Sequence, residues 1–206
     1  TSIPAEEPET KETKMPDTSS PCFATAPVMC NGVNVTAMME TIEAVKLTPA
    51  IAKFNFRATN KWMGGDCNLS TIQEFTGAMQ EHRVGGRPFV YDNGEHPILL
   101  GQDKAPNPVE WLLHALIGCM TTTVAYHSAA QGIEVRGIES SIQGDLDLRG
   151  FLGLSETVRK GYSEIRVVMR VSTSAPKAAI EAITRMSPVF DVVSRSVPVK
   201  VDVQIC

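Results

Sequence analysis

The stretch NPVEWLLHALIGCMTTTVAYHSAAQG, residues 107–132 of this 206-residue chain, decides the fold. Asn107 can cap a helix, Pro108 suits the first helical position, and Glu110 stands where the carboxylate of a capping box belongs. Gly132 ends the predicted helix, which is about 35 Å long at ~1.5 Å per residue. Because its apolar residues occupy more than one face, we expect it to be buried in a core or in a subunit interface.

Shorter periodic segments surround this helix. Upstream, we expect a short amphipathic helix (38–47), a strand with Phe54 and Phe56 on one face (51–60), and turns at Gly64-Gly65 and Gly85-Gly86. Downstream, we expect two long strands (133–148 and 162–173), a helix from about Pro176, a short helix capped by Ser187, and a final strand (197–205). The pattern predicts an α+β fold of antiparallel sheets packed on two main helices.

Composition limits the class of protein. With 43% hydrophobic and 20% charged residues, the chain can form one substantial core, and residues 31–206 are read as a single domain. Residues 1–30 have few large apolar side chains and are read as a flexible tail. The net charge of -4 gives no basic footprint for nucleic acid. The sequence contains no apolar run long enough to span a membrane, so no membrane partner is expected. No secretory signal is recognised, so a cytoplasmic location is expected.

The cysteines offer the clearest chemistry. Their number is odd and their spacing irregular, without a CxxC motif or zinc-ligand spacing, so reduced thiols and no metal are expected: Cys22, Cys30, Cys67, Cys119 and Cys206. Cys119 lies well inside the predicted long helix. A single cysteine on an apolar helix is most often a small core residue. Polar side chains on the same helix nevertheless indicate a polar cavity or an interface nearby: His114, Tyr126 and His127. The threonine hydroxyls at i+3 and i+4 from Cys119 lie one turn from its sulfur, although they could simply bond to backbone carbonyls.

The stretch from Pro88 to Val201 resembles the OsmC/Ohr family. The resemblance rests on the pattern P-x-E-x-L-L-x-A-L-x-x-C ending at Cys119, on GDLDLRGFLGL (144–154) and on SPVFDVVSRSVPV (187–199). It implies an intertwined homodimer with active sites at the subunit interface and the reduction of organic hydroperoxides. In such enzymes a thiolate attacks the O–O bond, becomes a sulfenic acid, and is captured by a second cysteine. Cys119 matches the first cysteine.

Two positions depart from that pattern. The family places a catalytic arginine near an early glycine-rich turn, where WMGGDC has Asp66 instead, so Arg57 on the preceding strand is the candidate. Glu110 resembles the carboxylate that holds this arginine, although the capping box explains it equally well. Ser187 stands where the second cysteine is expected. Cys67 or Cys206 could replace that cysteine; otherwise an external thiol must reduce the sulfenic acid.

Two functions therefore remain open. The first is a thiol-dependent peroxidase in oxidative stress defence, with Cys119 as nucleophile and Glu110 and Arg57 as catalytic partners, acting on a small hydroperoxide without a cofactor. It requires a nearby cation, since an ordinary cysteine has a pKa of about 8.5 and burial raises it further. The alternative is a non-peroxidatic OsmC-like protein that binds a small apolar molecule or uses Cys119 in other thiol chemistry.

Overall fold

A computed structural model describes residues 26–205. These residues form five α-helices: α1 (Val35–Leu47), α2 (Pro108–Ala130), α3 (Leu148–Phe151), α4 (Lys177–Thr184) and α5 (Pro188–Ser194). Single turns of 3-10 helix lie at Pro49–Ala52 and Pro97–Leu99. In this part of the chain no helix is both long and apolar enough to cross a bilayer.

Within residues 26–205 the strands form four small antiparallel sheets. Their bounds are β1 (Met29–Cys30), β2 (Val33–Asn34), β3 (Asn55–Phe56), β4 (Thr59–Gly64), β5 (Cys67–Ile72), β6 (Phe75–Gly77), β7 (Gln80–His82), β8 (Phe89–Asn93), β9 (Val135–Asp145) and β10 (Glu164–Thr173). The sheets are β1-β2, β3-β6-β7, β4-β5-β8 and β9-β10. The predicted α+β class with antiparallel sheets is confirmed.

Helix α2 is the centre of the packing. It lies against β9, α4 and α5. Val124 of α2 forms the core with Ile180 and Ile183 of α4, and side chains of the β9-β10 hairpin cover this cluster. Only one side of α2 is covered in this way. A stripe of Ala115, Gly118, Thr122 and Tyr126, which we call the open face, stays exposed in the single chain, so the expectation of burial is met on one side only.

A polar clasp ties the N-terminal hairpin to the end of α2. Asn31, at the β1-β2 turn, donates to the carbonyl oxygen of Ile133 at 2.9 Å. Its own side-chain oxygen accepts from the backbone N–H of Val135 at 2.8 Å. The folded unit therefore includes residues 29–30, and the tail predicted from composition is shorter than residues 1–30. Residues 1–25 of that tail lie outside the described part of the chain.

Removing this clasp should destabilise the fold. Asn31→Ala leaves the Val135 N–H without a partner and the Ile133 carbonyl oxygen with only the weak Cys30 thiol donor. We therefore expect the free energy of unfolding to fall by about 1–3 kcal/mol. Urea denaturation followed by circular dichroism measures the change. Asn55→Ala is the matched control, because the Asn55 residue is exposed on β3, and its effect should stay within about 0.5 kcal/mol. Equal effects of the two substitutions would contradict the role of the clasp.

Two predicted strands differ from the structure. The strand predicted over 51–60 is not continuous. Its first two residues belong to the 3-10 turn Pro49–Ala52, and a break separates β3 from β4. Phe54 and Phe56 do share a face, with ring centroids 5.8 Å apart. The final strand at 197–205 is wrong for the single chain. No strand pairs with this segment among residues 26–205, and its apolar side chains are 50–91% exposed, because a strand needs a neighbouring edge to satisfy its backbone.

The GDLDLRGFLGL segment is a compact corner between β9 and β10. Asp147 caps α3 and pairs with Arg149, and this ion pair holds the pKa of Asp147 at about 2. Gly150 is buried where α3 approaches the backbone of residues 158–159. A Cβ atom at Gly150 would lie 2.3 Å from the carbonyl oxygen of Arg159. A glycine is therefore required here for close packing.

Gly150→Ala should consequently be costly. Backbone rather than a movable side chain blocks the added methyl group, so we expect a loss of about 1–3 kcal/mol in the free energy of unfolding. Gly161→Ala, in the same connection, is the control, since a Cβ there meets nothing within 4 Å. Thermal melts of both variants check the difference. A Gly150→Ala protein as stable as Gly161→Ala would contradict the proposed close packing.

Candidate functional site

Cys119 lies at the border between the buried side and the open face of α2. Its thiol is free and partly buried. Ala115 and Thr122 are its neighbours on the open face, one turn before and after it. The Thr122 hydroxyl donates to the Gly118 carbonyl oxygen at 3.1 Å, so its proton is not available to the Cys119 sulfur. Within residues 26–205 no hydrogen bond reaches the Cys119 sulfur.

The other polar residues of α2 lie mostly toward solvent. His114 packs edge-to-face on Trp111 with ring centroids 5.4 Å apart. Tyr126 is half exposed. The Trp111 indole N–H is buried without a hydrogen-bond partner among the described residues. These side chains do not form a closed polar cavity around Cys119 in the single chain.

Glu110 has the predicted capping role. Its backbone N–H donates to the Asn107 side-chain oxygen at 3.0 Å, and its carboxylate accepts from the Asn107 backbone N–H at 2.9 Å. The capping box is thus confirmed. Glu110 and Cys119 are nine residues apart on one helix, which is about two and a half turns and places them on opposite faces, roughly 13 Å apart along the axis.

Arg57 lies away from α2, between β3 and β4. Its guanidinium forms an ion pair with Glu81 of β7. This hydrogen-bonded partner raises the pKa of Arg57 and lowers the pKa of Glu81. A single chain therefore does not bring Cys119, Glu110 and Arg57 together. Their joint catalytic role remains a prediction that depends on a second chain.

Comparison with known families identifies the domain that contains Cys119. Residues 101–202 match the family described as OsmC-like protein. The chain belongs to the OsmC family. None of the curated proteins matches the sequence.

Solved structures of OsmC-like proteins resemble this chain at low identity. An OsmC-like protein from Mycoplasma pneumoniae is 13% identical, with a TM-score of 0.50 over 69% of this chain and 89% of that protein. An OsmC-like protein from Vibrio cholerae is 11% identical (TM-score 0.48; 66% and 92% covered). An organic hydroperoxide resistance protein OsmC from Legionella pneumophila is 16% identical (TM-score 0.44; 69% and 90% covered). At such identities the Mycoplasma structure supports the OsmC fold alone.

In this OsmC-family chain, Asp66 has a structural task that the sequence did not suggest. Its carboxylate accepts the backbone N–H of Gln102 at 3.1 Å and of Glu95 at 3.4 Å. These bonds, chiefly the one from Gln102, hold the pKa of the Asp66 carboxyl below its usual range. Asp66 thereby fixes the loop that precedes α2 to the β4-β5 turn. The position where an arginine was expected holds an anion that already has partners.

Within the described chain Cys30, Cys67 and Cys119 are all free thiols. Partial burial and the Asp66 carboxylate raise the pKa of the Cys67 thiol, which disfavours its reactive thiolate. Ser187 is fully buried and accepts the Phe190 backbone N–H at 3.2 Å as the cap of α5. Cys206 and Cys22 lie outside the described residues. No group of residues among 26–205 has the arrangement of a metal site.

Proposed function

We propose that this OsmC-family chain is a thiol-dependent peroxidase that reduces organic hydroperoxides through Cys119. The observation that carries the proposal is the place of Cys119. It lies within residues 101–202, which match the OsmC family, it is partly exposed, and it borders a helix face that its own chain leaves uncovered. A reactive thiol needs this kind of access.

The chemistry needs only a thiolate and a second thiol. The Cys119 thiolate attacks one oxygen of the hydroperoxide, an S–O bond forms as the O–O bond breaks, and the leaving alkoxide takes a proton to become an alcohol. Cys119 is then a sulfenic acid. An external thiol condenses with it, releasing water and leaving a mixed disulfide. A second external thiol reduces that disulfide and restores Cys119.

The proposal includes a homodimer formed over the open face. The small residues Ala115 and Gly118 allow another helix to approach closely, and a Cβ at Gly118 would meet nothing within 4 Å in the single chain. A partner subunit would also exclude water from the Cys119 sulfur and bring a cation to it. Arg57 is the candidate, and its pair with Glu81 is half exposed, so little free energy opposes an exchange of partners.

Reaction of the reduced protein with tert-butyl hydroperoxide tests the proposal. We expect thiol loss faster than for free cysteine, and a dimedone adduct on Cys119 rather than on Cys67, as located by peptide mass spectrometry. Cys67→Ser is the control and should react as the wild type does. Thiols that react no faster than free cysteine, or an adduct confined to another cysteine, would refute the peroxidase.

A further inference from the structure

A cleft of about 540 Å³ opens between α2, β10 and α5, and its wall does not include Cys119. This volume is within the range of small-molecule sites, about 300–1,000 Å³. Helix α2 contributes Val109, Leu112 and Leu116, which fall on one stripe of the helix. We call this space the α2–β10–α5 cleft.

The opposite walls of the cleft are also apolar. Ile165 and Val167 alternate along β10 and therefore point to the same side of the strand. Phe190 and Val193 lie one turn apart on α5. Leu112 is 40% exposed at the opening. Because hydrocarbon surface gains about 25 cal/mol for each Å² removed from water, such walls favour a hydrocarbon occupant.

The polar groups at the mouth select the charge of the occupant. Glu164 lines the mouth and shares the Arg166 guanidinium with Asp145. The hydroxyls of Ser163 and Ser194 donate to backbone carbonyl oxygens. Arg159, which also lines the mouth, pairs with no carboxylate within residues 26–205. Among the groups that line the mouth, Arg159 is therefore an exposed cation that is available to an anionic ligand.

We propose that the α2–β10–α5 cleft binds an amphipathic carboxylate, with a medium-length hydrocarbon chain between α2, β10 and α5 and its anionic head on the Arg159 guanidinium. Charge complementarity at the mouth distinguishes this ligand from an alcohol or an amine of the same chain length. Because the cleft is separate from the Cys119 thiol, this proposal does not depend on whether Cys119 reduces peroxides.

Titration calorimetry of the full chain with decanoate, and with decanol as a neutral ligand of equal length, tests the assignment. We expect saturable binding of decanoate and a rise of about 5- to 10-fold in its Kd in Arg159→Gln, since a charge-assisted hydrogen bond is lost. Decanol should bind both proteins equally. Lys160→Gln is the matched control, because Lys160 is the adjacent exposed cation and does not line the cleft.

Three results would overturn the proposal. The first is the absence of saturable decanoate binding by the wild type, which would leave the cleft to a second copy of the chain. The second is an equal loss of decanoate binding in Arg159→Gln and Lys160→Gln, which would indicate only a long-range electrostatic effect of positive charge. The third is unchanged decanoate binding in Val193→Trp, a substitution that fills the cleft, in a protein that circular dichroism shows to be folded. A Cys119→Ser protein that binds decanoate normally separates this result from the peroxidase test.

Discussion

We expect Cys119→Ser to lower hydroperoxide turnover by a factor of ~10² or more, toward the rate of buffer alone, when a dithiol is the reductant. The reason is that the hydroxyl of serine does not ionise near neutral pH and forms no sulfenic acid. The other described thiols are poor replacements. Partial burial, together with the Asp66 carboxylate, raises the pKa of Cys67, and the Cys30 thiol faces the Ile133 carbonyl oxygen at 3.8 Å.

The measurement is the loss of tert-butyl hydroperoxide in a coupled peroxide assay. Cys67→Ser and Cys30→Ser serve as controls that remove a thiol without removing the proposed nucleophile, and both should keep most of the activity. Because Cys119 is partly buried, a thermal melt must show that Cys119→Ser is folded. Retention of more than about half of the turnover in folded Cys119→Ser would refute Cys119 as nucleophile.

The elements that could be predicted are those fixed by neighbours in the sequence. Helix α2 begins at Pro108 because Asn107 and Glu110 bond each other across one turn, and all three residues are visible in a short stretch. The same holds for α5, which Ser187 caps. The turn at Gly64-Gly65 has positive φ at both glycines, a conformation that glycine adopts without strain.

What could not be predicted depends on distant partners. The alternating residues of 197–205 read as a strand, but a strand exists only where another edge pairs with it, and periodicity says nothing about that edge. The division of α2 into a covered side and an open face has the same origin. Apolar and small residues surround the helix, so only the positions of α4, α5 and β9 decide which side is covered.

The candidate site shows the same limit. Cys119 is recognisable because its helix motif is local. The pairing of Arg57 with Glu81 joins residues 24 positions apart through the β3-β6-β7 sheet, and no local pattern marks it. Asp66 likewise acts on Gln102, 36 positions away. Both contacts could be proposed only once the register of the strands was known.

Ser187→Cys should convert the single-cysteine chemistry of Cys119 into a two-cysteine cycle. The resemblance to the OsmC/Ohr family predicts a resolving cysteine at the position of Ser187, and α5, which Ser187 caps, packs directly on α2. We expect one equivalent of tert-butyl hydroperoxide to produce an intramolecular disulfide between Cys119 and the new thiol. In the wild type the sulfenic acid should persist until an external thiol arrives. Non-reducing peptide mass spectrometry and thiol counting distinguish the two products.

The geometry makes this substitution a strict test of the α2–α5 arrangement. A disulfide requires Cα atoms about 4.4–6.8 Å apart, so it forms only if the start of α5 faces the Cys119 sulfur. Losing the serine cap should cost about 1 kcal/mol, which a folded domain tolerates. Ser194→Cys, at the exposed far end of α5, is the matched control and should give no disulfide with Cys119. If neither variant forms one, the start of α5 is out of reach of Cys119, and the position of Ser187 takes no part in a disulfide cycle.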